Sequence, residues 1–518
     1  MTAMSKRFYI TTAIDYVNGA PHVGHAYEKV VADVIARARR ALGGEVFFLT
    51  GLDEHGQKVQ QAAEAEGKTP QVYCDALAAS WQAFAAKLGL TNDDFVRTTQ
   101  PRHKEFVQGV LARLRAEGQF YQSTYSGFYS TSAETFLTEK DRLPDGGFDP
   151  SWGKVIELKE DNYYFKLREH QDWLIHYIEE HPGFIAPDYR RNEVLGFLKN
   201  EVLEDLCISR PAERLNWGIP IPFDAGYVTY VWFDALVNYI SVPFAHGDPL
   251  VRQALGAGGD SSFEAWPADL HVIGKDILKF HAVYWPIMLK AMGLPLPRQV
   301  LVHGWWQKEG QRLSKSTGNV IDPIAVIDEW GLDAFRYYLV RELDIGPDGN
   351  WTDAGFRARY NSELANGLGN LVNRSLTMIQ RYRGGRLPAG ASQLAGETAA
   401  AWDRAVAAYR ANALQEALQE CAALVTRANQ HIDQTSPFKI AKDPARAGDL
   451  DNILVTLAEV CRALGVLLWP VMPGASEKLQ RQLGLEVVNT NLSQLPPPLP
   501  AGHAIGEISP LFPRKDPK

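Results

Sequence analysis

The sequence predicts an α/β chain: a doubly wound parallel sheet, split by an inserted module and followed by an α-helical bundle. Three observations carry this. Apolar, β-branched runs alternate with helical patterns over residues 1–117, the pattern of parallel strands joined by crossover helices. From 118 to 225 aromatics stand among turn residues instead, and the α/β pattern resumes at Gly226. After Trp351 nearly every stretch has a helical period.

The elements follow in order. Residues 8–14 form a buried strand, and residues 15–21 are turn chemistry around Asn18-Gly19. From Ala26 the pattern turns helical, with Val30, Val34, Ile35 and Ala38 on one face. A second strand (45–51) runs into Leu52-Asp53-Glu54-His55-Gly56 and Ala-rich helices over 57–89; a third (95–99) precedes another helix. Residues 1–117 are thus the first half of a Rossmann-like domain. The insert, 118–225, carries Tyr121, Tyr125, Phe128, Tyr129 and Tyr163 to Phe165, with a turn at Pro144-Asp145-Gly146-Gly147. Residues 226–297 are the second half, with strands at 226–232 and at 269–273, the latter ending in Gly274-Lys275-Asp276. Residues 298–355 join a strand (299–303) to a lysine-bearing loop and a compact helical segment. Residues 356–518 are a bundle, to about 484, and a Pro-rich tail; Leu364, Leu368, Leu371, Val372, Leu376 and Ile379 form its apolar stripe.

Composition sets bounds. The 518 residues are 46% hydrophobic and 22% charged, with a formal charge of −8, which argues against bulk, non-specific binding of nucleic acid. No apolar run approaches the ~20 residues of a membrane span. Four scattered cysteines without a CxxC pair fit a reducing compartment, with neither a disulfide framework nor a cysteine zinc site. The N-terminus runs straight into the first strand, so a cytoplasmic protein without a leader is expected.

Two short stretches carry chemistry. His22-Val23-Gly24-His25 sits where a strand gives way to a helix. In an open α/β sheet that is where ligands bind, and a helix N-terminus attracts phosphate. Gly24 lets a flat ring lie against bare backbone, and the imidazoles can donate to phosphate oxygens. The second stretch, Gly310-Gln311-Arg312-Leu313-Ser314-Lys315-Ser316-Thr317-Gly318-Asn319, could close over a triphosphate. Lys315 is a point charge suited to the pyrophosphate oxygens, where negative charge grows as the leaving group departs. Taken singly, two ordinary histidines and a solvated basic loop would explain both stretches.

Together they resemble the HIGH and KMSKS signatures of class I aminoacyl-tRNA synthetases, in order and in setting. Arg312 and Leu313 stand where the second signature has Lys and Met; one keeps the charge and the other an apolar plug. Tyr16-Val17-Asn18-Gly19, Phe48 to Gly56, Tyr230-Val231-Trp232-Phe233-Asp234-Ala235-Leu236 and Ile273 to His281 extend the resemblance to the methionyl-tRNA synthetases, over essentially the whole chain. That resemblance implies ATP with Mg²⁺, L-methionine and tRNA(Met) as ligands. It places catalysis on His22, His25, Arg312 and Lys315. It places ATP on His22, Gly24, His25, Glu28, Gly274, Lys275, Asp276 and Lys315, with Glu28 and Lys275 the weaker candidates. It places methionine on Ala13, Ile14, Tyr16, Asp53, Trp232, Ala235, Tyr239, Ile277 and His281, with Trp285 nearby.

The chemistry of these positions agrees. Aromatic rings hold a polarizable thioether, and Tyr239 and His281 can offer hydrogen bonds to its sulfur, a weak acceptor that leucine lacks. Asp53 can pair with the α-ammonium. Without the resemblance, the same residues would read as core aromatics and a helix cap.

The resemblance also implies an anticodon site on Asn370 and Arg374, which share a helix face, and on Phe438, which stands where the family usually has Trp. Arg357, Arg359, Arg381, Arg383 and Lys439 could reach phosphates. Many family members bind zinc through cysteines of the insert. The matching positions here are Ser130 and Ala133 and, more loosely, Phe148 and Ser151, none a good zinc ligand. No structural zinc, and hence no metal site, is expected. Only a short tail follows the bundle, so a monomer is expected. Two other readings remain open on sequence grounds: another class I synthetase, and a non-catalytic tRNA-binding paralogue. The aliphatic enzymes carry a much larger editing insert, the cysteine enzyme needs a zinc site, and the intact signatures speak against a paralogue.

Overall fold

The computed structural model describes residues 7–17, 19–130, 135–137, 139–258, 261–313 and 320–515. The strands of the main sheet are β1 (Phe8–Thr12), β2 (Asp15–Tyr16), β3 (Val46–Asp53), β4 (Asp94–Arg97), β5 (Ile185–Ala186), β6 (Leu270–Gly274) and β7 (Val300–His303). The helices used below are α1 (Val23–Ala41), α2 (Pro101–Ala116), α3 (Val231–Leu236), α4 (Asn238–Ala245), α5 (Leu332–Glu342), α6 (Asn370–Arg383), α7 (Leu414–Thr435), α8 (Pro437–Ile440), α9 (Ala447–Leu467) and α10 (Pro473–Gln482). The chain forms two compact units. One comprises residues 1–20, 47–83 and 92–302, the other residues 21–46, 84–91 and 303–518.

The first unit is built on the sheet, in the order β2-β3-β1-β6-β7-β5, with β4 also on β3. The pairings of β1 with β6, β2 with β3, β3 with β4 and β7 with β5 are parallel. Seven of the eight residues of β3 are buried, as a strand covered on both faces requires. At Gly51 a Cβ would lie 2.1 Å from the Val96 carbonyl oxygen, so only glycine lets β4 come this close.

The expected insert holds a long antiparallel pair, Phe120–Ser130 against Val155–Phe165, registered from Phe120 opposite Phe165 to Ser130 opposite Val155. Two expectations change. The edge strand β5 lies inside the 118–225 stretch, because a two-residue strand leaves no apolar run to read. The expected strand at 226–232 is Asp224–Thr229 in a separate antiparallel sheet with Ser209–Pro211 and Pro220–Ile221. Val231 and Trp232 already belong to α3. β-Branched and aromatic composition marks a strand but not the sheet it joins.

At the positions where zinc cysteines occur in the family, the described limbs are held otherwise. Ser130 Oγ donates to the Trp152 carbonyl at 2.5 Å. Phe148 packs on Phe128 with ring centroids 5.1 Å apart, and the Arg142 guanidinium lies 4.3 Å from the Phe128 centroid. Ala133 is outside the described residues.

In the second unit, Trp306–Lys308 and Gln311–Arg312 form a hairpin joined by Gly349–Trp351. The wide-turned segment Tyr360–Gly369 runs into α6, and the whole expected stripe from Leu364 to Ile379 is buried. So is all of α9 from Ile453 onward. The tail is irregular and is tied by backbone bonds from Leu492 to Ala41 and from Gly502 to Leu387. Among the described residues no helix is long and apolar enough to cross a membrane.

Candidate active site

In the first unit, strand ends carry Ala13, Tyr16 and Asp53, three of the residues expected to hold methionine. Tyr16 pairs with Asp53 across β2 and β3, and the Ala13 N–H donates to the Val272 carbonyl of β6. Ala13, Tyr16, Asp53 and Gly274 therefore lie along one carboxyl edge of the sheet, the edge where ligands of such sheets bind. Ala13, Asp53, Ala235, Tyr239 and His281 are buried; Ile14, Tyr16, Trp232 and Ile277 are half-buried. Beyond β6 the backbone takes a tight turn at Lys275–Ile277 and a wide one at Phe280–Tyr284.

The hydrogen-bond directions of the pocket are determined by its donors. His281 Nδ1 lies 3.0 Å from the Ile277 carbonyl, which only accepts, so Nδ1 carries the proton. His281 Nε2 then accepts from the Tyr239 hydroxyl at 2.8 Å. The two donors expected to face a sulfur atom are thus closed on one another. Behind them Trp285 donates to His271 Nε2 at 3.2 Å, so His271 carries its proton on Nδ1, 2.7 Å from Thr11 Oγ1. Burial, and then His281, hold the His271 pKa well below the usual imidazole value. Trp232 stacks on Phe280 with centroids 3.5 Å apart and planes 8° from parallel.

In the second unit, His22 is the N-cap of α1. Its Nδ1 accepts the Gly24 N–H at 3.1 Å, while His25 Nδ1 accepts the His22 N–H at 3.1 Å. This is a capping box made of two imidazoles. With both Nδ1 atoms accepting, both rings carry N–H on Nε2. A Cβ on Gly24 would lie 2.9 Å from His22 Cε1, so the flat ring that glycine admits is that of His22 itself. Glu28 is buried, with its oxygens 3.0 Å from Lys29 Nζ and 3.2 Å from His303 Nε2. Burial would raise its pKa, but Lys29 and His303 hold it at about 2. Arg312 closes the hairpin through its backbone; its side chain, and Lys315, lie outside the described residues.

On the bundle, Asn370 opens α6 and is exposed. Arg374 donates to Asp433 at 2.9 Å, at the end of α7. Phe438, on α8, is 46% exposed. Arg359 and Arg383, expected near phosphates, are ion-paired with Glu342 and Glu363 and with Asp451. Phe280 and His271 were not read as pocket residues; both lie in or beside the Ile273-to-His281 stretch that carried the resemblance.

The family model described as "tRNA synthetases class I (M)" matches residues 8–144 and 151–376. A methionine–tRNA ligase of Fusobacterium nucleatum is 41% identical over 99% of this chain and 80% of its own length. One of Bacillus subtilis is 42% identical over 94% and 74%. The structure of Mycobacterium tuberculosis methionyl-tRNA synthetase in complex with methionyl-adenylate superposes with a TM-score of 0.90 at 36% identity, covering 98% of this chain and all of that one. The family match over most of the chain and relatives about 40% identical over nearly its whole length place this chain among the methionyl-tRNA synthetases of the class I family.

Proposed function

We infer that this chain is a methionine–tRNA ligase: it activates L-methionine with ATP and transfers it to tRNA. The observation that carries this is the full-length likeness to an enzyme solved with methionyl-adenylate. In the proposed reaction the methionine carboxylate attacks the α-phosphorus of ATP in line. A carboxylate–phosphate bond forms, the α–β bridge breaks and pyrophosphate leaves. The 3′-terminal ribose hydroxyl of tRNA(Met) then attacks the adenylate carbonyl, releasing AMP. No side-chain nucleophile takes part, and the protein supplies position and charge.

The roles we propose follow the chemistry of each group. Asp53 receives the α-ammonium, while Ala13, Ile14, Tyr16, Trp232, Ala235, Tyr239, Ile277 and His281 enclose the side chain. Gly274 and Asp276 take the ribose, with Lys275 and Glu28 as weaker contacts. His22, His25 and Lys315, helped by Arg312, stabilise the phosphates as charge moves to the leaving group. Each imidazole at the helix cap uses its Nδ1 lone pair inside the cap and carries its proton on Nε2, a donor that suits phosphate oxygens and not a cation. Mg²⁺ would be held by the triphosphate and water rather than by these imidazoles, and when bound it would offset the phosphate charge. Asn370, Arg374 and Phe438 read the anticodon. We propose the division 1–117, 118–225, 226–297, 298–355 and 356–518 as the functional segments, and a monomer working in the cytoplasm.

The test is amino-acid-dependent ATP–pyrophosphate exchange over a panel of amino acids. Methionine alone is expected to drive it, and exchange driven by leucine or cysteine in its place would sink the reading. Lys315→Ala is expected to slow exchange with little change in methionine affinity.

A further inference from the structure

We propose that Asp234, clamped between His55 and His103, is a positioning residue that fixes the ammonium end of the methionine site to its side-chain end. This rests on the function inferred above.

Asp234 lies in α3 between two residues of the pocket, Trp232 and Ala235. Its Oδ2 is 2.6 Å from His55 Nδ1 and its Oδ1 is 2.7 Å from His103 Nε2. The three side chains are at most 2% exposed. His103, on α2, continues through Nδ1 to Ser241 Oγ at 2.9 Å, and Ser241 reaches the Asn238 carbonyl at 3.2 Å. Burial would raise the Asp234 pKa, but the two histidines hold it at about 2. An ionised carboxylate only accepts, so His55 donates from Nδ1 and His103 from Nε2.

The placement of the four members makes this more than a buried polar cluster. His55 stands two residues after Asp53, Asp234 stands two residues after Trp232 and next to Ala235, and Ser241 stands two residues after Tyr239. One chain of hydrogen bonds therefore ties together the segments that carry both ends of the pocket. The Asp53 loop is held on its other sides as well. Glu54 accepts from Arg97 Nε at 2.7 Å and from the Thr99 hydroxyl, and Trp217 Nε1 donates to the Glu54 carbonyl. The Gly56 N–H donates to the Trp217 carbonyl at 3.1 Å. His55 is the tie that runs from this loop to α3.

Burial of a carboxylate and two imidazoles is poor value for stability, since apolar side chains of the same volume would serve as well or better. Directed hydrogen bonds on both carboxylate oxygens instead fix an angle and a spacing. That is what a binding site needs from the residues around it.

The experiment measures ATP–pyrophosphate exchange at varied methionine and varied ATP, with thermal midpoints of each full-length variant. Asp234→Asn keeps the shape but presents one donor where both histidines donate. It is expected to raise the methionine KM by about tenfold or more and to leave the ATP KM within about twofold. His55→Leu should do the same, and His55→Asn, whose amide can donate from the position of Nδ1, should restore most of the loss. Ser241→Ala, at the far end, should give a smaller rise with the same selectivity. Should Asp234→Asn fail to fold, the His55 and Ser241 variants decide. Methionine KM unchanged in them, or both KM values rising together in step with a lowered thermal midpoint, overturns the proposal in favour of a merely structural cluster. A wild-type chain without methionine-dependent exchange would overturn the function itself, and this inference with it. Exchange in the wild type with unselective variants overturns this inference alone.

Discussion

Arg336 donates to Asp33 at 2.7 Å with neither side chain exposed, which ties α5 to α1 inside the second unit. The same guanidinium donates to the carbonyls of Leu88, Pro470 and Val471, the last two in the turn between α9 and α10. Burial would raise the Asp33 carboxyl pKa, but Arg336 and Arg37 hold it below the usual range. Arg336→Met would strand three carbonyls and leave Asp33 to Arg37 and to the Thr91 N–H and hydroxyl. A loss of about 3 kcal/mol or more is expected, read as a lower urea midpoint of the full-length chain. An unchanged midpoint would show that water replaces the lost donors.

The Glu28 cluster gives a pH dependence with a definite sign. Its carboxyl is at about 2 in the folded chain against an ordinary 4.5, so unfolding binds a proton in that interval. The stability it contributes is complete above about pH 4.5 and is lost as pH falls through 2. The contribution is on the order of 3 kcal/mol. Glu28→Gln is expected to flatten the acid limb of a urea-midpoint profile over that window. An acid limb as steep as that of the wild type would assign the dependence to other carboxylates.

These two clusters also mark what the sequence made legible. The parallel sheet, the bundle stripe and the His22–His25 cap are local patterns: a period, a turn, a motif of four residues. Their physics is visible within a few neighbours. Asp33 with Arg336, and His55 with Asp234 and His103, join residues far apart in sequence, so each member reads as an ordinary charge or histidine. The 226–232 stretch failed differently, because composition marks extended backbone and leaves its sheet partner undecided. Gly24 was read as room for a ligand ring, and its first occupant is the side chain two residues before it.

Tyr239 and His281 allow a test of how sulfur is recognised. The phenol proton is held by His281 Nε2, so a thioether accepts it only when that bond opens. Tyr239→Phe leaves His281 Nε2 without this donor. The methionine KM is expected to rise by about fivefold to tenfold, the worth of one buried hydrogen bond. Discrimination against norleucine, with methylene in place of sulfur, should narrow at the same time. Exchange measured with both amino acids checks this. A KM rise shared equally by norleucine would mean that the hydroxyl only supports the pocket wall.

Phe438 tests the other end of the chemistry. It follows the left-handed Ser436, whose φ of 49° ends α7 and turns the chain into α8. Its half-exposed phenyl ring offers a face on which an unstacked base can stack. Arg374, held by Asp433 five residues before Phe438, would offer a guanidinium to the same nucleotides. Base–aromatic stacking contributes about 1–3 kcal/mol, so Phe438→Ala is expected to raise the KM for tRNA(Met) tenfold or more in aminoacylation. Adenylate formation does not involve the anticodon, so pyrophosphate exchange should stay at the wild-type rate. Phe438→Trp, with a larger face to stack, should charge tRNA at least as well as the native chain. Equal charging by the Ala variant would remove Phe438 from the anticodon site, and a parallel loss of exchange would mean that the ring supports the fold.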